Sequence, residues 1–341
     1  MPVSGVWSPS VLRILFHDAD LSRVRVAKAP DPLWETVLGL YRLTTDVAPV
    51  FAGWQRAARA AVHEQGLRGA VGMLRGLVPK AGYFPDFLTP AEADGGLAAG
   101  LAAVRDTPRE RLSRDIGHAG RTRRLPSWVN RLGHGDSGVL DDLVRAMEMV
   151  HRAVVRPVWD DVEAAVGVER SVRATAMLDG GVTAMLDSLR PVLRWDPPVL
   201  SADYPLPLDV RLDGRGLLLI PSYFCWGKPV VLADPALPPV VVYPVEHPPN
   251  WLDGGAGRAA RPLEALLGRT RAAVLAALAT TSTSTELGAR LGISTASASE
   301  HVGVLRDAGL VVSRRTGRTV RHALTPLAVA VLAGRLRTFR T

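Results

Sequence analysis

Residues 283–324 read TSTELGARLGISTASASEHVGVLRDAGLVVSRRTGRTVRHAL, and the elements they encode decide the fold of the C-terminal quarter of the 341-residue chain. Thr283-Ser284-Thr285-Glu286 has the form of a capping box, in which the Thr283 hydroxyl accepts from the Glu286 amide and the Glu286 carboxylate accepts from the Thr283 amide. A short helix should therefore start near Ser284. It carries Leu287 and Leu291 on one face, and Gly292 is able to take the left-handed backbone that ends a helix. Ile293 fills the turn, Ser294 is a suitable N-cap, and a second helix is predicted over residues 295–308, stopped by Gly309. Ser294, Ala298, Val302 and Leu305 fall on one side of it and should pack. Ala296, Ser299, Glu300, Gly303 and Asp307 fall on or near the other side and should face solvent. Residues 310–313 then read as a strand, 314–318 as a turn whose tip carries Arg314, Arg315 and Arg318, and 319–324 as the returning strand.

Helix, tight turn, helix and basic hairpin is the order of a DNA-binding winged helix; the plain alternative is a helical hairpin capped by a solvated charged turn. A small-sided exposed helix suits a major groove about 12 Å wide, while the hairpin reaches phosphates. At TELGARLGIS (285–294), ASEHVGVLRDAGLV (298–311) and RRTGR (314–318) the chain resembles the winged helix-turn-helix of ArsR-type bacterial transcriptional regulators, over roughly residues 263–336. The resemblance implies a transcriptional regulator that binds double-stranded DNA; a repressor is expected, with activation as the other reading. It also implies a homodimer, joined through the outer helices expected at 262–267, 270–279 and 326–336, that reads two half-sites about 34–36 Å apart. The residues themselves show only an apolar helix face there, which could equally dock on the N-terminal domain.

The DNA contacts expected are Ser294, Thr295, Ser297, Ser299, Glu300, His301 and Arg306 on the second helix, with Arg314, Arg315, Arg318 and Arg321 on the hairpin. The helix offers Thr295, Ser297, Ser299 and Glu300 but no cation placed to grip guanine, the commonest specific contact. Specificity should then lean on Glu300 accepting from cytosine, on close approach of small side chains and on DNA shape. The arginines should supply affinity through phosphates.

Charge points to the same segment. Residues 258–341 hold 13 arginines against 4 acidic residues, net +9, whereas residues 1–257 hold 28 basic against 29 acidic residues, net −1. An electrostatic footprint confined to one module is what nucleic acid requires. The single cysteine, Cys225, cannot make an internal disulfide, no signal peptide is visible at Met1-Pro2-Val3-Ser4-Gly5, and Arg, Asp or Pro interrupts every candidate membrane span. A cytoplasmic protein without membrane contact is expected.

The remaining chain is less legible. Residues 11–27 alternate in a way that fits strands or short helices. Asp31-Pro32 opens a helix carrying Leu33, Val37, Leu40, Tyr41 and Leu43, and further helices are predicted at 48–65, 67–77, 90–107, 108–116, 138–166 and 171–189. Pro157 should kink or restart the sixth of these, and Gly180-Gly181 should mark a break or a close packing point in the last. The aromatic loop over residues 79–87 reads as a plug of the helical bundle rather than a pocket wall. The seven arginines between Arg105 and Arg124 read as a solvated face, with a second DNA contact as the other reading. Past Trp195, prolines rule out long helices. Strands are expected at 208–212, 216–220, 229–232 and 240–243, with Asp213-Gly214 as a hairpin turn.

The fold class is thus α+β, mainly α. It comprises a helical domain over 1–195, a proline-rich antiparallel β segment over 196–249 packed on it, a linker over 250–260, and the winged helix-turn-helix over 261–341. The first 250 residues, as in DGRGLLLIPSYFCWGKP (213–229), resemble a domain that precedes such winged helices in bacterial regulators, a resemblance that names no ligand. One reading is a sensor of a small apolar effector lined by aromatics among Trp195, Tyr204, Tyr223, Phe224, Trp226 and Tyr243; the other is a structural or dimerising role. Metal sensing in the resembled family uses Cys and His on the first helix of the pair or on the outer helices. That first helix here reads Ser284-Thr285-Glu286-Leu287-Gly288-Ala289 without a thiol, so no metal site is expected. The spacings of His118, His134 and His151 match no metal motif. An enzyme ranks last: the chain has no Gly-x-Ser-x-Gly and no P-loop, Gly214-Arg215-Gly216 lacks the third glycine of a dinucleotide fold, and no cofactor is expected.

Overall fold

A computed structural model describes residues 11–45, 49–79, 82–247, 264, 266–278, 281–316 and 319–332. The chain divides into two compact units, residues 1–48 with 55–246 and residues 49–54 with 247–341. The linker expected over 250–260 lies outside the described residues. Among the described residues no helix is long and apolar enough to cross a membrane.

The first unit opens on β1 (Val11–Leu15), a single helical turn α1 (Asp18–Leu21) and β2 (Arg25–Val26), so residues 11–27 hold both strand and helix. Asp31 then starts α2 (Pro32–Thr44) by accepting from the Leu33 and Trp34 amides at 2.9 and 3.0 Å, with Pro32 in the first turn. Residues 32–40 of α2 are buried on every side, as expected of a helix that is apolar nearly all round and lies at the centre of a bundle. There follow α3 (Ala52–Glu64), whose first three residues fall in the second unit, α4 (Arg68–Leu77), α5 (Leu97–Arg105), α6 (Arg109–Thr122), α7 (Ser127–Gly133), α8 (Ser137–Val150) and α9 (Trp159–Asp187), of which α5 and α8 pack against α2.

The helix predicted over 90–107 starts as a 3₁₀ turn, Ala91–Gly95, and becomes α-helical only after Gly96 at φ 103°. The pattern predicted over 138–166 passes at His151–Val155 through a π turn and restarts beyond Pro157 as α9. His151 is buried there, its Nδ1 2.9 Å from the Thr36 hydroxyl of α2, and burial pushes its pKa down to about 4, so it is neutral. Gly180 and Gly181 break α9, with Gly181 at φ 69°. Arg173, before the break, pairs with Glu169 at 2.7 Å and donates to the Ser188 hydroxyl beyond it at 2.7 Å, which pins the two halves.

The expected antiparallel sheet is corrected. The strands β3 (Arg194–Asp196), β4 (Val199–Asp203), β5 (Leu208–Arg211), β6 (Leu218–Ser222), β7 (Val230–Val231) and β8 (Val240–Pro244) divide between two four-stranded sheets of mixed direction, β3-β4-β1-β5 and β2-β6-β8-β7. β1 runs parallel to β5, and β2, β6 and β8 run parallel to one another. Asp213-Gly214 is a turn, with φ 51° and 79°, but it joins strands of different sheets and makes no hairpin. The physical reason is that each sheet is completed by a strand from the start of the chain, nearly two hundred residues away, which no local turn signal reports. Leu12, Ile14, Phe16, Trp195, Leu200, Leu219, Val241 and Tyr243 bury one core with Met185, Leu186 and Leu189 of the end of α9. The β segment and the N-terminal strands therefore share one core.

Buried carboxylates tie this β region to the segments packed on it. Glu35 of α2 accepts from the Ser222 hydroxyl at 3.0 Å and from the Tyr223 and Phe224 amides at 2.8 and 3.0 Å. Asp20 accepts from the Gly216 amide at 2.9 Å, and Asp86 accepts from the Ala233 and Asp234 amides at 3.0 and 2.8 Å. Asp115 in turn accepts from the Phe87 amide at 2.9 Å. Asp86, Phe87 and Leu88 are buried, so the far end of the loop at 79–87 is packed and held by two carboxylates, Asp86 and Asp115, while Lys80 and Ala81 lie outside the described residues. The nearby arginines are mostly engaged at the surface: Arg105 with Asp141, Arg114 with Asp234, and Arg123 on the Gly76 and Leu77 carbonyls at the end of α4.

Candidate nucleic-acid interface

In the second unit, α10 (Arg269–Ala277), α11 (Ser284–Leu291), α12 (Thr295–Asp307), β9 (Val311–Thr316), β10 (Thr319–Leu324) and α13 (Pro326–Leu332) follow one another. The capping box forms as read: the Glu286 amide donates to the Thr283 hydroxyl at 3.2 Å, and the Thr283 amide donates to the Glu286 carboxylate at 2.7 Å. That backbone hydrogen bond holds the Glu286 carboxyl below its ordinary pKa. Gly292 ends α11 at φ 66°, and Ser294 caps α12 by accepting from the Ser297 amide at 3.1 Å. Ala298, Val302 and Leu305 are buried with Leu287 of α11 and with Val274 and Leu275 of α10.

Gly288 makes the turn between the helices this tight. A Cβ placed there would meet the Ile293 carbonyl oxygen at 2.9 Å and the Thr295 amide nitrogen at 3.3 Å. Helix propensity alone would make Gly288→Ala stabilising by about 1 kcal/mol. The clash with backbone is expected to outweigh that and give a net loss of about 1–3 kcal/mol, read as a lower melting temperature. A variant that melts higher than the parent would show that the turn opens without strain.

The opposite side of α12 is exposed and carries Ala296, Ser299, Glu300 and Asp307, with Thr295 and Arg306 exposed at its borders and Ser297, His301 and Gly303 half-buried. Ser294, expected to pack with Ala298, Val302 and Leu305, is instead exposed, because as the N-cap it precedes the first turn and its hydroxyl accepts from the Ser297 amide. Arg306 pairs with the neighbouring Asp307 at 3.2 Å. Val304 shares this exposed side at 45% exposure, a position the apolar periodicity had not singled out.

The hairpin differs from expectation in one respect. Strand pairing continues to Thr316 and Thr319, so Arg314 and Arg315 lie on β9 itself and not on a turn. The register sets Arg314 directly opposite Arg321, Arg315 opposite Val320 and Ser313 opposite His322. Alternation along a strand puts Arg314 and Arg321 together on one face. Like charges directly opposite destabilise a bare hairpin, and a polyanion laid across them removes the repulsion. Arg314, Arg315 and Arg321 are exposed; Arg318 lies outside the described residues.

His322 falls on the returning wing strand, where a lone histidine is expected to pack or to contact phosphate. It is buried, with Nε2 3.0 Å from the Ser284 hydroxyl of α11 and Nδ1 2.8 Å from the Ser313 hydroxyl of β9. Its backbone pairs with Ser282 in a short antiparallel bridge. Burial, and then the charge of Arg306, lower its pKa, so the neutral ring pins the wing to the start of α11. No sequence signal marks that role, because the two serines lie 38 and 9 residues away.

The six aromatics considered as effector ligands do not line one site. Trp195 packs edge-on against Phe16 at 5.0 Å and shares the sheet core with Tyr243, against which Tyr204 is partly buried. Tyr223 and Phe224 are buried edge-on to each other at 5.2 Å, and the Phe224 ring closes against Gly39 of α2. Trp226 is 41% exposed. Open clefts of about 510 and 550 Å³ lie elsewhere on the first unit, among Arg121, Arg123, Arg124 and Asn130 and among Arg109, Ser113 and Arg114. Among the described residues no group of three or more His, Cys, Asp or Glu side chains is placed to hold a metal ion.

Residues 266–314 match a family described as a helix-turn-helix domain. No curated protein and no solved structure matches the chain. The match runs from the start of the second unit's described helices to the first wing arginine. With the geometry above, it gives the chain a C-terminal helix-turn-helix domain, which supports a DNA-binding regulator.

Proposed function

We propose that the chain is a sequence-specific transcriptional regulator of the ArsR type, a repressor that acts in the cytoplasm as a homodimer on two half-sites of duplex DNA. The observation that carries this reading is the wing: Arg314 and Arg321, directly opposed and exposed, stand beside a recognition helix whose solvent side is built from small residues. The wing grips phosphates and α12 enters the major groove. For the first unit, the burial of Trp195, Tyr223, Phe224 and Tyr243 in packed cores favours a structural or dimerising role over an apolar effector site, and we assign it no catalysis.

The test is selection of binding sites by the purified full chain from fragmented genomic DNA, followed by titration of the best site at two salt concentrations. The expected result is a palindromic site with half-sites one helical turn apart and a steep fall of affinity with salt, near 0.9 log unit per log salt for each phosphate neutralised. Enrichment of no sequence would refute the reading and leave the wing as a nonspecific contact.

A further inference from the structure

Val304 is the one exposed side chain of α12 that is both apolar and larger than alanine, and 45% of it faces solvent on the side of the helix meant for DNA. Exposing a valine there gains nothing for folding, since Ala298, Val302 and Leu305 already supply the buried stripe. It lies one helical turn beyond Glu300, a carboxylate on that face able to accept from a base, whereas the Asp307 carboxylate is paired with Arg306. Four residues rise about 6 Å along a helix, which spans roughly two base steps of 3.4 Å. Ala296, a turn before Glu300, is small, and Gly303 beside Val304 has open space around it, so neither holds the helix away from the groove.

In the major groove the only apolar group that a base pair presents is the thymine 5-methyl, and the donor that suits a carboxylate is the cytosine amino group. We infer that Val304 is a specificity-determining residue that packs on a thymine methyl about two base steps from a cytosine read by Glu300, so that each half-site carries a cytosine and a thymine at that spacing. This deepens, and rests on, the reading of α12 as the recognition helix. It also gives the helix a means of discrimination that needs no arginine on guanine.

The experiment takes the site selected by the full chain and replaces single thymines by deoxyuridine, which deletes only the methyl group. Binding of the parent and of Val304→Ala is then compared on both duplexes. One thymine per half-site is expected whose replacement weakens the parent roughly four-fold, the equivalent of one buried methyl, while Val304→Ala binds the thymine and uracil duplexes alike. Val304→Thr, which keeps the shape and one methyl, should retain part of the discrimination. Melting of each variant checks that the exposed substitution leaves the fold intact. If the parent selects a site in which no thymine methyl matters, or if Val304→Ala keeps the full uracil penalty, this inference fails while the regulator reading stands. Failure of the parent to select any sequence refutes both.

Discussion

Replacing Glu35 with alanine is expected to lower the stability of the first unit by about 3–5 kcal/mol, a large share of the 5–15 kcal/mol of an ordinary domain. The side chain is fully buried, and its carboxylate is the acceptor for the Ser222 hydroxyl and for the Tyr223 and Phe224 amides. Truncation leaves those donors without it in a site closed to water, and loses the link between α2 and the end of β6. Burial pushes the Glu35 pKa up to about 7 against the lowering effect of its three hydrogen bonds. A carboxyl whose folded pKa lies above its ordinary 4.5 binds its proton more readily in the fold. Its contribution is therefore fully present below about pH 4.5 and is lost as pH rises through about 7. Denaturant unfolding at pH 5 and pH 8 should show the parent gaining stability at the lower pH relative to Glu35→Gln, whose amide does not titrate. An equal difference at both pH values would show that Glu35 stays ionised throughout.

Replacing Arg314 and Arg321 together by alanine should weaken binding to every duplex by about 10- to 100-fold near physiological salt, and lower the salt slope by roughly 1.8 for two phosphate contacts. The ranking of sequences should stay as in the parent, because phosphates carry no base information. Thermal stability should hold or rise slightly, since the substitution removes two like charges set directly opposite each other. Arg315→Ala should likewise weaken all sequences alike. A variant whose preferred site changes, or whose salt slope does not, would show that these arginines read bases or face away from the DNA.

The contrast between these two experiments follows the range of the interactions involved. What the sequence by itself determined lies in contacts a few residues long: the capping box of Thr283 and Glu286, the left-handed Gly292, the Ser294 cap and the buried stripe of Ala298, Val302 and Leu305 all stand in the structure where periodicity placed them. Asp31 and Pro32 at the start of α2 and the glycine break in α9 belong to the same class. Steric and hydrogen-bonding preferences within one helical turn are properties of the local chain, so a sequence displays them.

Only the tertiary structure decided the rest. The helix periodicity does not single out Glu35, whose partners lie 187 to 189 residues away; β1 and β2 complete sheets whose other strands follow residue 193. His322 finds its serines on two other elements, and Gly288 is constrained by a carbonyl that reaches it only when the turn closes. The opposition of Arg314 and Arg321 depends on strand register, which took Arg314 out of an expected turn and set it in the ladder facing Arg321. Such pairings are set when distant segments exclude water together, and the free energy that selects among them is a property of the assembled core, written in no single stretch of the chain.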